Sequence, residues 1–405
     1  MDERERDVVL FTIDAGGGHR SAARALVAAA AETGAPIRFR VESFQQILVR
    51  LDVLKRVAGI SLEDAYNLIL RRHWNAILVP LLRLMHATIR VRRRALVRTL
   101  EEWLRAQPRP AAVVSVMPNF NGVMRDALGS AHPGVPLVVV LTDLADFPPR
   151  FWIEPGIDRV VVGTDEAREQ ALDIGLPAQR ITRVSGMVLN PLFYKSGGAG
   201  VRERVRREMG LVPGDFTVAL LFGGKGSPEM VPLAESLLET DPAWAVVAIC
   251  GDNPQLLERL APVEARQAGR LHRLGFTDRV AELLAASDVL VTKPGPGSLA
   301  EAFHQRVPVV VIRNRHTIPQ ERFNTDYVAR HGLGRVVRHW SEIPESVAGL
   351  YRDPTERAHV RDRLAALPDN RAVYEVLETI EREIGSSTRG RPMGTVGRGT
   401  TTPPW

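Results

Sequence analysis

Cysteine is almost missing from this sequence. Its one residue, Cys250, excludes an intramolecular disulfide framework and a cysteine-cluster zinc site. Long apolar runs are missing too: no stretch reaches the roughly eighteen residues that a membrane-spanning helix needs. The opening MDERERDVVL has neither the apolar core nor the small-residue cleavage site of a secretory leader, so a cytosolic setting is expected. Lysine is scarce as well. Lys55, Lys195, Lys225 and Lys293 are the four, and the other 49 of the 53 basic residues are arginines. What remains is a globular composition, 45% hydrophobic and 25% charged, in a chain of 405 residues. That is too long for one core and predicts two domains of ordinary size.

The net charge of +6 is unevenly placed. Residues 50–98 hold eleven Arg and Lys against three acids, a local +8, which leaves the rest of the chain at about −2. Local basicity points to a partner surface. Here Arg71, Arg72, Arg83, Arg90, Arg92, Arg93, Arg94 and Arg98 are interleaved with Trp74, Leu78, Leu82 and Met85. The mixture suits an interfacial helix lying on anionic lipid, with Arg71, Arg72, Trp74, Arg92, Arg93 and Arg94 as its contacts. The alternative is a solvated arginine face over an ordinary helical core. Nucleic acid is not an expected partner, because no aromatic stacking platform or known module is present.

Short β-branched runs at 8–13, 37–43, 111–117, 136–143 and 159–164 suit strands buried on both faces of a parallel sheet. Helical patterns between them predict βαβ units. A long helical stretch, about 44–107, interrupts this first unit. Residues 185–200 read as a linker, and 201–211 as a charged helix. A second α/β unit follows, with strands at 217–224, 244–252, 289–295 and 307–314. The tail, 386–405, has no apolar pattern and is expected to be disordered.

Three glycine-rich turns follow strands. The first, Asp14-Ala15-Gly16-Gly17-Gly18-His19-Arg20-Ser21, opens a helix and aims His19 toward a ligand at the free N–H groups. Its spacing does not fit a nicotinamide fingerprint, since Ser21 stands where the third glycine belongs. The second, Phe222-Gly223-Gly224-Lys225-Gly226-Ser227, is not a phosphate-loop sequence of the Walker type, yet Lys225 and the Gly224 backbone suit a phosphate oxygen. The third, Lys293-Pro294-Gly295-Pro296-Gly297-Ser298, leaves no side chains to obstruct a ligand. Ser298 is the expected helix N-cap. Glu301, one turn on, can accept two neighbouring hydroxyls, or it can close a capping box with Ser298. Farther on, Gln320 and Asn324 stand four apart on one helix face. Asp143 and Asp146 read as a structural turn, with Asp143 orienting the base or the acceptor, and no metal site is expected.

These residues resemble a family. GGGHRSA, SVMPNFNG, LTDL, FGGKGSPEM, TKPGPGSLAEA and QERFN together are similar to GT-B glycosyltransferases of the monogalactosyldiacylglycerol synthase and processive diacylglycerol glucosyltransferase group. A more distant likeness is to the N-acetylglucosaminyltransferase of peptidoglycan precursor synthesis. The resemblance runs over roughly 8–380. It implies an α/β, GT-B architecture of two Rossmann-like domains facing a central cleft. Residues 1–190 would bind the acceptor and carry the basic insert. Residues 191–385 would bind the UDP-sugar, with the final helix returning to the first domain.

The resemblance also implies roles. Glu301 would hold the ribose and the backbone around Phe276 would meet the uracil. Gly297, Ser298 and Gly224 would lie near the phosphates, with Lys225 and Lys293 beside them. Gln320, Glu321 and Asn324 would reach the sugar or the diphosphate. Gly16, Gly17 and Gly18 would frame the acceptor, and His19 would be the general base, with Asp143 beside it. Plant-type members carry a His where Met117 stands, and a His-Pro near Asp146-Phe147-Pro148-Pro149; this chain has neither. The expected reaction is hexose transfer from a UDP-sugar to a lipid hydroxyl at the inner membrane surface, without a cofactor. The alternatives are a soluble enzyme of the same fold that acts on a small molecule or epimerises a UDP-sugar, and a non-catalytic nucleotide-sugar-binding protein.

Overall fold

Twelve short, mostly β-branched strands build two parallel sheets among the residues that the computed structural model describes, namely 5–13, 17–48, 75–195, 200–211, 215–267, 269–315 and 317–388. The first sheet holds β1 (Arg6–Thr12), β2 (Ile37–Ser43), β3 (Ala112–Ser115), β4 (Leu137–Val140), β5 (Arg159–Val162) and β6 (Ile181–Arg183). The second holds β7 (Phe216–Leu221), β8 (Trp244–Ile249), β9 (Leu271–Leu274), β10 (Val289–Thr292), β11 (Val309–Ile312) and β12 (Gly334–Val337). Every residue of β3, β4, β7, β8, β10 and β11 is buried, as strands covered by helices on both faces must be. Side chains alternate between the faces. Val9 and Phe11 join one core cluster of the first sheet, Val8 and Leu10 the other.

Strand order decides where a ligand can go. The first sheet runs β2-β1-β3-β4-β5-β6 and the second β12-β11-β10-β7-β8-β9. The direction of winding reverses between β1 and β3 in the first, and between β7 and β10 in the second. At such a reversal the connections leave toward opposite faces and open a crevice beyond the carboxyl ends of the strands. The turns that open this crevice are those carrying His19, Lys225 and Lys293. Two Rossmann-like lobes of this kind make the GT-B fold.

Three strands escape a search for buried apolar runs. β6 (Ile-Thr-Arg), β9 (Leu-His-Arg-Leu) and β12 (Gly-Arg-Val-Val) are short and half-exposed, because each closes an outer edge of its sheet. The 185–200 stretch is not all linker, since Pro191–Lys195 is helical and buries Phe193 in the second lobe's core. Within 44–107, helices span Phe44–Leu48 and Asn75–Arg105. Most of the expected disordered tail lies outside the described residues.

The last helix, Ala372–Thr388, packs on the first lobe. Val373, Val376, Leu377, Ile380 and Ile384 share a core cluster with Leu26 and Val114. Arg159 pairs with Glu383 at 2.6 Å, and the Ser185 N–H donates to Glu375 at 2.6 Å. The chain thus crosses between lobes twice. The lobes also meet directly: Leu144 of the first belongs to the second lobe's core, Ile318 of the second packs on the first, and the Phe147 and Phe323 rings lie 6.4 Å apart.

Ile380 is fully buried in the helix that returns. Ile380→Ala should destabilise the protein by about 2–5 kcal/mol, the range for truncating a core aliphatic. Chemical denaturation checks this, with near-UV dichroism reporting the loosening.

Candidate active site

On the first lobe, Gly17 stands at φ +85°, a left-handed conformation that favours glycine, and the helix Gly18–Thr33 starts directly after it. Gly17 is the N-cap and makes no side-chain cap bond, so His19 is not a capping residue. The His19 ring turns inward instead. Its Nδ1 lies 2.9 Å from the Val116 carbonyl oxygen and 3.1 Å from Thr142 Oγ1. A carbonyl can only accept, so Nδ1 carries the hydrogen in the neutral ring, and Nε2 keeps its lone pair. Burial disfavours the imidazolium and lowers the pKa to about 4, against the raising effect of the Val116 carbonyl. At neutral pH this is an uncharged imidazole whose Nε2 makes no hydrogen bond among the described residues.

Behind His19 stands Trp152, fully buried, its ring centroid 5.6 Å from the imidazole. The indole N–H donates to Asp143 Oδ2 at 2.7 Å. Asp143 therefore holds Trp152 and makes no bond to His19; Val116 and Thr142 orient the imidazole. Asp146 takes the backbone N–H groups of Arg150 and Trp152 at 2.9 and 2.7 Å, so it anchors the turn. Desolvation raises both carboxyls to about 6.

On the second lobe the helix Pro296–His304 has Gly295 as its N-cap, three residues before Ser298. Ser298 is therefore inside the helix and does not cap it, and the expected capping box with Glu301 does not form. Among the described residues the Glu301 carboxylate finds no hydrogen-bond partner, and desolvation alone lifts its pKa to about 8. Glu321, in the first turn of the helix Pro319–His331, is lifted to about 7, chiefly by desolvation, with Lys293 acting against it and the Asp143 charge adding to it. Gln320 Oε1 is also buried without a partner among the described residues. Asn324 differs from its expected role: it is 2% exposed and its Nδ2 donates to the Pro294 carbonyl at 2.8 Å, clamping the Pro-Gly-Pro-Gly turn.

The glycine turn after β7 is braced from the next connection. Asp252 N–H donates to the Gly224 carbonyl at 2.8 Å, and Asn253 Nδ2 to that of Lys225 at 2.9 Å. No helix follows at once, since the next begins at Met230. Gly223, Gly224 and Lys225 are exposed, as is Gly297. Phe276, beyond β9, is 75% exposed, an unusual state for a large aromatic.

The basic helix sorts its arginines. Arg90, Arg92, Arg94 and Arg98 are exposed. Arg93 is not a free surface charge: it pairs with Asp126 at 2.7 Å and with Glu154 at 3.4 Å, tying this helix to Asn121–Ala131 and to the loop before β5. Asp14, Gly16, Arg71, Arg72 and Trp74 lie outside the described residues. Sequence reasoning missed Trp152, Thr142 and the Val116 carbonyl, because a backbone oxygen leaves no residue signature and the two side chains reach His19 only through the fold.

Comparison with known proteins fits this geometry. Residues 218–362 match the model of the glycosyltransferase family 28 C-terminal domain. The chain is 29% identical over 251 residues to a processive diacylglycerol beta-glucosyltransferase of Bacillus subtilis, a match that takes in 62% of this chain and 63% of the relative, less than two thirds of its length. It is 26% identical to monogalactosyldiacylglycerol synthase 2, chloroplastic, of Arabidopsis thaliana, over 94% of this chain and 81% of that one. A crystal structure of a putative UDP-N-acetylglucosamine 2-epimerase from Listeria monocytogenes superposes with a TM-score of 0.59 at 15% identity, covering 94% of this chain and 97% of that one, which speaks to the fold alone. The chain is a GT-B protein related to the monogalactosyldiacylglycerol synthases and processive diacylglycerol glucosyltransferases.

Glu301 generates a two-sided prediction. Its folded pKa of about 8 stands above the ordinary 4.5, so between these values the native state holds a proton that the unfolded chain releases. Stability from this group is full below about pH 4.5 and is lost as pH rises through about 8. Glu301→Gln should therefore melt above wild type at pH 8 and converge with it toward pH 5, while binding UDP more weakly. Scanning calorimetry across pH and titration calorimetry with UDP check the two halves.

Proposed function

We propose that this chain transfers a hexose from a UDP-sugar to a lipid hydroxyl, with diacylglycerol as the acceptor class, at the cytoplasmic face of a membrane. The observation that carries the proposal is the set of unpaired acceptors on the second lobe. The Glu301 and Glu321 carboxylates and Gln320 Oε1 are desolvated groups with no protein donor among the described residues. Leaving such groups unpaired is costly, and a ligand rich in hydroxyls satisfies all three. A ribose on Glu301 and a hexose on Gln320 and Glu321 fit that demand. Lys293, Lys225 and the start of the Pro296–His304 helix supply positive potential for the diphosphate, and exposed Phe276 offers a face for the uracil.

The chemistry follows from the two sides. The acceptor oxygen attacks the anomeric carbon, forming the new glycosidic bond. The bond from that carbon to the phosphate oxygen breaks, and UDP leaves with the electron pair. The acceptor proton passes to His19 Nε2, the nitrogen left free by the Nδ1–H bond to Val116. The relatives' names, diacylglycerol glucosyltransferase and monogalactosyldiacylglycerol synthase, support both donor and acceptor.

Membrane docking rests on the basic helix. Arg90, Arg92, Arg94 and Arg98 are exposed, and Val91 among them is 81% exposed. No helix among the described residues is long and apolar enough to cross a membrane, so attachment would be peripheral. Each basic residue at an anionic surface contributes about 1 kcal/mol, decaying within a Debye length.

Incubation with UDP-glucose or UDP-galactose and diacylglycerol vesicles should yield UDP and a hexosyl lipid by mass spectrometry. An epimerised donor, or no turnover, contradicts the proposal. His19→Ala should lower kcat by about 10²–10⁴-fold and leave UDP affinity near wild type, as expected when a positioned base is removed from the opposite lobe. The triple change Arg92→Glu, Arg94→Glu and Arg98→Glu, which spares the Arg93 ion pairs, should release the protein from anionic vesicles and preserve UDP binding. Normal co-sedimentation of that variant would return the helix to a solvated face.

A further inference from the structure

The loop that orients His19 is held from outside the sheet. It follows β3 at the strand-order reversal and runs from Val116 to Asn121. Its base is fixed internally: Ser115 Oγ donates to Asn121 Oδ1 at 2.7 Å, and Asn121 Nδ2 donates to the carbonyls of Met117 and Trp152 at 3.1 and 2.8 Å. Its apex is Asn119, at φ +73°, a left-handed conformation for a residue with a Cβ. The Asn119 N–H donates to the Phe151 carbonyl at 2.7 Å. Its side-chain oxygen receives a hydrogen bond from His86 Nε2 at 2.7 Å. His86 belongs to the long basic helix Asn75–Arg105, 33 residues away in sequence, and its ring lies 6.2 Å from that of Phe151.

We propose that His86 is a positioning residue for the acceptor side: by holding the Asn119 side chain it keeps the apex left-handed, and so fixes the loop whose Val116 carbonyl selects the Nδ1–H form of His19. The inference rests on the reading of His19 as the general base. It adds a link that runs from the basic helix, through Asn119 and the loop, to the base. Without the His86 bond, Asn119 relaxes toward extended backbone, the intervening Met117 and Pro118 shift, and the Val116 carbonyl turns from the imidazole. His86 touches no reacting atom; its effect passes through the orientation of His19.

The test separates this from a merely structural role. His86→Ala should lower kcat by about tenfold, the scale of a small misalignment of a catalytic group, with UDP affinity unchanged. His86→Gln, whose amide N–H can replace Nε2–H toward Asn119, should restore kcat to within about twofold of wild type. Asn119→Gly in the His86→Ala background should also recover activity, because glycine takes the left-handed conformation without help. Two results overturn the inference alone: full kcat in His86→Ala while His19→Ala is inactive, or a loss in His86→Ala that neither the Gln variant nor the Asn119→Gly background recovers. If His19→Ala itself keeps full kcat, the reading of the base fails, and this inference falls with it. Unfolding midpoints of every variant separate these outcomes from loss of fold.

Discussion

Each sheet reverses its strand order once, and that constraint places everything else in the molecule. Connections around a parallel sheet cover both faces, so the carboxyl ends of the two central strands are where a crevice must open. In the first sheet this point lies between β1 and β3, and its two turns bring His19 and the Val116 carbonyl together. In the second it lies between β7 and β10, where the Lys225 and Lys293 turns emerge. The return of the Ala372–Thr388 helix to the first lobe, with the contacts of Leu144, Phe147, Ile318 and Phe323, fixes the two crevices as walls of one cleft.

The chain treats its desolvated acids in two ways. Asp288, 8% exposed, is surrounded by Arg202 at 2.8 Å, Arg361 at 3.1 Å and Arg206 at 3.6 Å. Arg206 in turn donates to Thr217 and to the Ala286 and Asp215 carbonyls. That is structural burial, with the one carboxylate held by three guanidiniums and Arg206 further satisfied by neutral acceptors. Glu301 and Glu321 are desolvated without hydrogen-bond donors among the described residues, and their pKa values rise to about 8 and about 7. Groups left in this condition destabilise the free protein, and under the proposed function the ligand's hydroxyls satisfy them, the usual trade between stability and function.

Much of this was legible in the sequence, for physical reasons that also explain the rest. Buried central strands announce themselves as β-branched runs; the edge strands β6, β9 and β12 do not, because half of each faces solvent. Glycine turns after strands located both crevices, since a side chain at Gly17 would strain the left-handed backbone. The part that stayed hidden depends on helix phase and on distant partners. Ser298 had the chemistry of an N-cap, but Gly295 and Pro296 start the helix earlier. Asn324 shares a face with Gln320, yet the fold spends its amide on Pro294. Arg93 sits in a run of three arginines and alone turns inward, to Asp126 and Glu154. No local pattern distinguishes it from Arg92 and Arg94.

The account turns on His19 being held as a neutral imidazole with Nε2 free for the acceptor. Nitrogen-15 spectroscopy of the His19 ring, in the full-length protein titrated from pH 8 downward, reads tautomer and charge together. The result expected is the Nδ1–H tautomer, uncharged until the pH nears about 4. An Nε2–H tautomer, or a midpoint at the ordinary value of 6.5, would contradict it.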